Sequence, residues 1–225
     1  GFADVSVSLS TRPKESMGPD EVWTRATESL QAALRRSKME YELNEGGGAF
    51  YGPKIDFEVT DSIGRTWQCG TVQLDFMMPE RFGLEYVGRD GKMHRPVMIH
   101  RAVFGSIERF YGILVEHYGG AFPLWLAPIQ VRVATISEKQ TEAAEVVCRK
   151  LESAGIRSQL DASSEKINYK VRDAELKKIP YLAVIGAKEM ETNTARVRAR
   201  GGGDLGALQV EAFMEQGQEE IGRKG

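Results

Sequence analysis

The stretch PVMIHRAVFGSIERF, residues 96–110, decides the fold of the first half of the chain. Its opening apolar run predicts a strand over residues 96–100. The apolar residues that follow recur at helical spacing and predict a helix over residues 102–117. Such a helix has to pack against an apolar sheet face, which the preceding residues must supply.

Three segments before this stretch alternate apolar and polar residues, as half-buried strands do. They cover residues 5–9, 55–59 and 66–76. A helix is predicted over residues 22–34, with Pro19 in its first turn. The first half of the chain is therefore predicted to be an antiparallel sheet with a helix packed across it.

The pattern changes after Pro123. Strands predicted over residues 129–136, 156–160, 181–185 and 195–200 alternate with helices predicted over residues 138–154, 166–178 and from about Leu208. Strands that alternate with helices predict a compact α/β domain. We therefore predict two domains, residues 1–123 and 129–225, joined by a linker over residues 124–128.

The composition is that of a globular protein and argues against several classes of function. Hydrophobic residues make up 41% of the chain, and no apolar run approaches the roughly 20 residues of a membrane-spanning helix. The formal net charge of −2 does not indicate nucleic-acid binding, so any such surface must be local. Two cysteines without a CxxC pair indicate reduced thiols in a cytoplasmic protein. The three histidines lack HExxH spacing, so a complete metal site from this chain alone is not expected.

The predicted strand WQCGTVQLDF, residues 67–76, has a polar face that suits a binding site. From Gly70 onward its even positions are apolar, and its odd positions are mostly polar. Gln68 is out of phase with Thr71 and Gln73, but a bulge at Gly70 would bring all three to one side. The alternative is an amphipathic strand whose polar face meets solvent.

The block GGGAFYGPKIDFEV, residues 46–59, combines glycines with a hydroxyl and a cation. Glycine lets a backbone approach a ligand closely, while Tyr51 and Lys54 can present their polar ends to it. The alternative is a turn that enters a strand and carries a surface lysine.

In the predicted helix, Arg109 is expected to share a face with Gly105 and Ser106. A glycine inside a helix costs about 1 kcal/mol relative to alanine, which indicates close packing or a ligand. An arginine beside small residues can stack on a planar base while it pairs with a phosphate. The alternatives are a surface arginine and, at the end of the strand, a structural His100.

Together these blocks resemble the end of the catalytic domain of the threonyl-tRNA synthetases, which are class II aminoacyl-tRNA synthetases. Residues 46–57, 67–76 and 97–110 each match in order, and residues 96–110 correspond to motif 3, the ATP-binding strand and helix of that class. FPLWLAP and KIPYLAVIGAKE further along also fit. The resemblance implies an α+β antiparallel-sheet catalytic region, followed by an α/β anticodon-binding domain with a mixed sheet.

The resemblance also implies an activity and an ATP site. Members of this family activate L-threonine with ATP and Mg2+ to threonyl-adenylate, then transfer the threonyl group to the 3′ end of tRNA(Thr). Arg109 corresponds to the arginine that stacks on adenine and reaches the phosphates, and Lys54 to a residue near the substrate carboxylate and the α-phosphate. Gln68, Thr71 and Ser106 correspond to residues that line the adenosine and adenylate pocket.

The resemblance implies an amino-acid site with zinc. Tyr51 and Gln73 correspond to residues near threonine, and His100 to one of three protein ligands of a catalytic Zn2+. A metal that ligates the substrate hydroxyl rejects valine strongly. The other two ligands, together with motifs 1 and 2 and the homodimer interface, are expected upstream of this region. The isolated chain is therefore expected to be an incomplete enzyme.

In the second domain, the resemblance places Glu189 and Arg198 at the anticodon. Residues 166–200 contain nine Lys or Arg against four Asp or Glu, which suits contact with tRNA phosphates. A solvated face of mixed charge is the alternative. Two alternatives stay open. One is a non-catalytic tRNA-binding paralogue or subunit, which the absence of motifs 1 and 2 permits. The other is a class II synthetase for proline, glycine or histidine, against which His100 argues because those enzymes make no such zinc site.

Overall fold

The computed structural model describes residues 2 and 4–224. The chain divides into two compact units, Gly1–His117 and Tyr118–Gly225, and each is described by itself. The domain limits expected from the sequence, with a linker over residues 124–128, stay a prediction. Among the described residues, no helix has the length and apolar character that a membrane crossing requires.

The first unit contains seven strands and three helices among its described residues, and the third helix ends one residue beyond the limit of the unit. The strands are β1 (Val5–Ser10), β2 (Glu42–Asn44), β3 (Lys54–Thr60), β4 (Thr66–Asp75), β5 (Tyr86–Val87), β6 (Met93–His94) and β7 (Met98–Ala102). The helices are α1 (Asp20–Arg36), α2 (Met77–Arg81) and α3 (Ile107–Tyr118). Pro19 directly precedes α1 in an extended conformation, so its predicted place inside the first turn was wrong by one position.

Five of these strands form one sheet in the order β2-β1-β3-β4-β7. All its pairs are antiparallel except β1 with β2. One face of the sheet packs on α1, because apolar side chains of both elements form a buried cluster. Its buried members are Leu9, Ile55 and Leu74 from the strands and Ala26, Leu30 and Leu34 from α1. The predicted antiparallel sheet with a helix across it is confirmed.

The structure corrects the sequence interpretation around Gly105. Strand β7 continues to Ala102, and α3 begins at Ile107, so Gly105 and Ser106 lie in the turn between them. Gly105 has a φ of +62°, which other residues rarely adopt, and this breaks the regular backbone. Ser106 then accepts a hydrogen bond on its Oγ from the backbone nitrogen of Arg109 at 3.3 Å. The predicted helix thus starts five residues late, although Arg109 does lie in its first turn.

The second unit continues with five strands and four helices among its described residues. The strands are β8 (Val131–Thr135), β9 (Ser158–Asp161), β10 (Tyr181–Ile185), β11 (Thr194–Ala199) and β12 (Gly203–Gln209). The helices are α4 (Thr141–Ser153), preceded by a 3-10 turn at Glu138–Gln140, α5 (Ile167–Leu176), α6 (Ala187–Thr192) and α7 (Val210–Arg223).

The sheet of this unit has the order β12-β11-β10-β8-β9. Strand β8 pairs in parallel with β9 and β10, whereas β11 is antiparallel to β10 and β12, so the sheet is mixed, as predicted. Helices cover both faces. Ala174 of α5 packs on one side with Leu182 and Val184, and Leu151 of α4 and Phe213 of α7 pack on the other.

Lys170 of α5 is buried in this unit, with only 1% of its surface exposed. Its Nζ donates to the backbone oxygens of Thr135 at 2.9 Å and Asp161 at 3.0 Å, at the carboxyl ends of β8 and β9. We expect Lys170→Met, which keeps the apolar stem, to lower the free energy of unfolding by about 1–3 kcal/mol, because two carbonyls lose their donor.

Urea denaturation measures this effect, with Lys166→Met as the matched control. The Lys166 side chain is exposed and makes no hydrogen bond to any residue the structure describes, so its replacement should change the free energy of unfolding by less than about 0.5 kcal/mol. Equal stability of the two variants would show that the Lys170 ammonium does not support the fold.

Candidate active site

The face of the first sheet that points away from α1 is polar. Residues directly opposite on neighbouring strands point to the same side of a sheet. Lys54 pairs with Gln73, and Gln73 pairs with His100, so the three form a row across β3, β4 and β7. Asp56 pairs with Thr71 in the next row. We call these five residues the polar face.

The carboxylate of Asp56 is the most connected group of the polar face. Its Oδ1 accepts hydrogen bonds from Gln68 Nε2 at 2.6 Å and Thr71 Oγ1 at 2.7 Å. Its Oδ2 lies 2.8 Å from Lys54 Nζ and accepts a bond from Ser10 Oγ at 3.3 Å. Asp56 is 4% exposed, so the burial of this charge is compensated by a cation and three further donors.

The predicted bulge is confirmed. Phe57 pairs with Gly70 while the next residue, Glu58, pairs with Gln68, which leaves Cys69 as the extra residue. Gln68 therefore joins Thr71 on one side, and its Nε2 donates to Thr71 Oγ1 at 2.9 Å. Burial raises the pKa of the Cys69 thiol, so this side chain packs as a neutral group.

A second cluster lies at the other end of the row. Tyr51 donates its hydroxyl to Gln73 Oε1 at 2.6 Å, and its ring centre is 5.5 Å from that of His100. Burial, and then the Asp75 carboxylate, raise the pKa of Tyr51, so its phenol remains a donor. A Cβ at Gly52 would lie 1.8 Å from the Leu74 carbonyl oxygen, so a glycine is needed for Tyr51 to approach β4 this closely.

Asp75, which is 0% exposed, contacts the His100 ring of this cluster. Its Oδ2 lies 2.9 Å from His100 Nε2, and its Oδ1 accepts from the backbone nitrogens of Met77 and Met78 at the start of α2, both at 2.9 Å. A carboxylate on one ring nitrogen fixes the tautomer and leaves the other nitrogen as an acceptor, the arrangement common in metal-bound histidines.

His100 therefore fits one position of a metal site. Among residues 2 and 4–224, however, no group of three His, Cys, Asp or Glu side chains is placed to hold a metal. The side chain of His94 lies in the β5–β6 hairpin, where its Nε2 is 2.9 Å from Asp90 Oδ1. The role of His100 as a ligand of the expected zinc site therefore stays a prediction.

Arg109 lies beside the Asp56 network. Its Nη2 donates to the backbone oxygen of Gln68 at 3.3 Å, and its guanidinium carbon is 5.8 Å from the centre of the Trp67 ring. The turn at Gly105 brings the backbone close to this side chain, since a Cβ there would lie 3.3 Å from Arg109 Nη2. Arg109 is exposed, so its guanidinium is accessible from solvent.

In the second unit, Glu189 and Arg198 lie on neighbouring elements. Glu189 is on α6, directly after β10, and its Oε2 accepts from the backbone nitrogen of Gly186 at 3.1 Å. Arg198 is on β11, opposite Leu182 of β10. No hydrogen bond or ion pair joins these two side chains in the described part of the chain.

Several cations of residues 166–200 serve the fold. Lys170 is buried, and Lys178 donates to the Gly119 carbonyl oxygen. Arg200 donates to the carbonyl oxygens of Lys178, Ala121 and Phe122. These contacts hold the start of the second unit, and the nine positive residues are therefore not one surface.

The charged side chains of four residues in that stretch make no hydrogen bond and no ion pair with any described residue, and are free to meet a partner. They are Lys166, Arg172, Lys188 and Arg198. The remaining two, Lys177 and Arg196, pair with Asp173 and Asp204.

The sequence did not single out Asp56 or Asp75. Each lies on the polar side of a predicted strand. Asp75 alternates with Thr71 and Gln73 on the same strand, and Asp56 lies between apolar residues of the neighbouring strand. Alternation alone cannot separate a buried carboxylate from a solvated one, because that depends on the donors that surround it.

Two family models match the chain, one in each unit. The model described as tRNA synthetase class II core domain (G, H, P, S and T) matches residues 8–118. The model described as anticodon binding domain matches residues 130–220. The two matches together cover the polar face, Arg109, Glu189 and Arg198.

Individual relatives agree with these models. A threonine–tRNA ligase of Desulforamulus reducens is 60% identical over 218 residues, which are 97% of this chain and 34% of the relative. One of Acetivibrio thermocellus is 59% identical over the same shares. The solved RNA binding domain of threonyl-tRNA synthetase from Cryptosporidium parvum Iowa II has a TM-score of 0.87 and 39% identity over 96% of this chain and 55% of that one. The chain thus spans about a third of the length of these curated relatives.

Proposed function

Since this chain belongs to the threonine–tRNA ligase family, we propose that it carries the adenylate-binding face and the anticodon-binding domain of such an enzyme. The complete protein would activate L-threonine with ATP and transfer the threonyl group to the 3′ end of tRNA(Thr). The observation that carries the proposal is the polar face, which sets Lys54, Gln73 and His100 in one row beside the Asp56 network.

The ATP half of this site uses charge and shape. Arg109 would stack on adenine and reach the phosphates, since its guanidinium is planar, cationic and exposed. Lys54 would neutralise charge near the substrate carboxylate and the α-phosphate. Gln68, Thr71 and Ser106 would line the adenosine and adenylate pocket, with Mg2+ accompanying ATP.

The amino-acid half uses the cluster at the other end of the row. Tyr51 and Gln73 would hold threonine, and their mutual hydrogen bond fixes both side chains. His100, oriented by Asp75, would be one zinc ligand. When bound, Zn2+ would coordinate the amino and hydroxyl groups of threonine and so distinguish it from valine.

The second unit would recognise the anticodon. Glu189 and Arg198 would read bases, and the free cations would contact phosphates. The two family models support a cytoplasmic protein of translation. A homodimer through residues outside this chain would complete the enzyme.

ATP–pyrophosphate exchange by the complete protein tests this function. We expect exchange that depends on threonine, is weaker with serine, and is at least about a hundredfold weaker with valine. Binding of tRNA(Thr) without exchange for any amino acid would instead favour a non-catalytic tRNA-binding paralogue.

Anticodon recognition gives a separate prediction. We expect Arg198→Ala to reduce discrimination between the threonine anticodon and an altered one by about tenfold, whereas Arg172→Gln should weaken both complexes by a similar factor. Arg172 is the matched control, because it is a free cation of the same unit that the proposal does not place at a base. Filter binding at constant salt measures both. Equal discrimination in both variants would remove Arg198 from the base-reading site.

A further inference from the structure

Hydrogen bonding around Asp56 determines which way the Gln68 amide faces. An ionised carboxylate only accepts hydrogen bonds, so the amide group that contacts it at 2.6 Å must be the NH2. That NH2 has two hydrogens, and Thr71 Oγ1 at 2.9 Å takes the second. Gln68 is exposed, so the atom that it offers to a ligand is its carbonyl oxygen, Oε1.

The same carboxylate holds the neighbouring cation. Asp56 Oδ2 lies 2.8 Å from Lys54 Nζ, whose side chain is 19% exposed. An ammonium has three N–H donors, and this contact uses one. The Asp56 carboxylate thus orients two groups: through Oδ1 it turns the Gln68 carbonyl oxygen outward, and through Oδ2 it holds the Lys54 ammonium.

We propose that Asp56 is the positioning residue of this site, and that it sets Gln68 as a hydrogen-bond acceptor beside the Lys54 cation. A ligand that is complementary to this acceptor and this cation carries a hydroxyl or amino donor near an anionic oxygen. The nucleoside 5′-monophosphate part of ATP and of an adenylate has this pattern. This inference rests on the proposed function, and it adds that a donor group of the nucleoside is read by an oxygen that Asp56 orients.

The test compares ATP with three analogues in threonine-dependent pyrophosphate exchange by the complete ligase. The analogues are 2′-deoxyATP, 3′-deoxyATP and the purine riboside triphosphate that lacks the 6-amino group, and each removes one donor. In the parent we expect kcat/KM for one analogue to fall about tenfold or more, because a site built to bond a donor rejects its absence. In Gln68→Met the ratio of kcat/KM for ATP to kcat/KM for that analogue should fall to within about threefold of one.

Asp56→Asn tests the positioning directly. The Lys54 ammonium needs an acceptor, so the oxygen of the new amide should turn toward it and leave its NH2 facing Gln68. Gln68 then turns its own oxygen inward, and the preference for ATP over that analogue should be lost. Asp56→Glu keeps an acceptor-only group and should restore a ratio within about threefold of the parent.

Ser10→Ala is the control, because Ser10 Oγ contacts Asp56 Oδ2 at 3.3 Å without touching Gln68, and its ratios should equal those of the parent. If Asp56 served only folding, Asp56→Asn would slow ATP and the analogue equally, and the unchanged ratio would overturn the proposal. An unchanged ratio in Gln68→Met, or a parent indifferent to all three analogues, would also overturn it. A parent without threonine-dependent exchange would instead refute the proposed function.

Discussion

Arg109→Ala in the complete ligase is expected to lower threonine-dependent pyrophosphate exchange by a factor on the order of 10²–10³, with little change in affinity for tRNA(Thr). Removal of the guanidinium takes away both the surface that would stack on adenine and the charge that would meet the phosphates. The Lys54 ammonium, which is paired with Asp56, is a point charge and has no planar surface to stack on adenine. Steady-state exchange and tRNA binding measure the two effects.

Arg65→Ala is the matched control for this variant. Arg65 also lies over the Trp67 ring, with its guanidinium carbon 5.3 Å from the ring centre, but it is paired with Asp61 and Glu116. Its loss should leave exchange by the folded protein within about threefold of the parent. If Arg109→Ala also stayed within threefold, Arg109 would not be the ATP residue.

His100→Ala is expected to lose bound zinc and threonine activation together. Loss of one of three protein ligands strips or weakens a metal, and the contact that would read the threonine hydroxyl disappears with it. We expect zinc content to fall well below one per chain and exchange with threonine to fall at least about a hundredfold. Elemental analysis of the purified complete protein and the exchange assay measure these changes, with circular dichroism to show that the fold is intact.

His94→Ala is the control, because His94 lies 2.9 Å from an aspartate, as His100 does, but in an exposed hairpin. Its zinc content should equal that of the parent. A structural role for His100 would give a different result, namely a destabilised variant whose folded fraction still carries one zinc per chain. Equal zinc in parent and His100→Ala would remove His100 from the metal site.

Much of the fold was predictable because strands and helices have different periods. The alternation over residues 66–76 predicted both β4 and, through the phase of Gln68, its bulge. The α3 boundary was not predictable from period alone. The apolar residues before Ile107 fit a helix as well as a strand, and the turn between β7 and α3 depends on the positive φ of Gly105.

Two other features could not be predicted from the sequence, because they depend on contacts between residues that are distant along the chain. Strand β12 lies in the glycine-rich stretch 203–209 and is held by its pairing with β11, which outweighs its weak strand propensity. The count of cations in residues 166–200 predicted a surface, yet Lys170 and Arg200 bond to the protein itself. Charge in a sequence shows how many cations exist, whereas the fold decides which of them face solvent.

We propose that threonyl-adenylate forms on the polar face of the first unit. A crystal structure of the complete ligase with a non-hydrolysable threonyl-adenylate analogue tests it most directly. We expect the adenine against Arg109, a nucleoside donor within about 3.2 Å of Gln68 Oε1, and the threonyl group between Tyr51 and His100. An analogue bound elsewhere, with these side chains still in their mutual contacts and facing solvent, would contradict it.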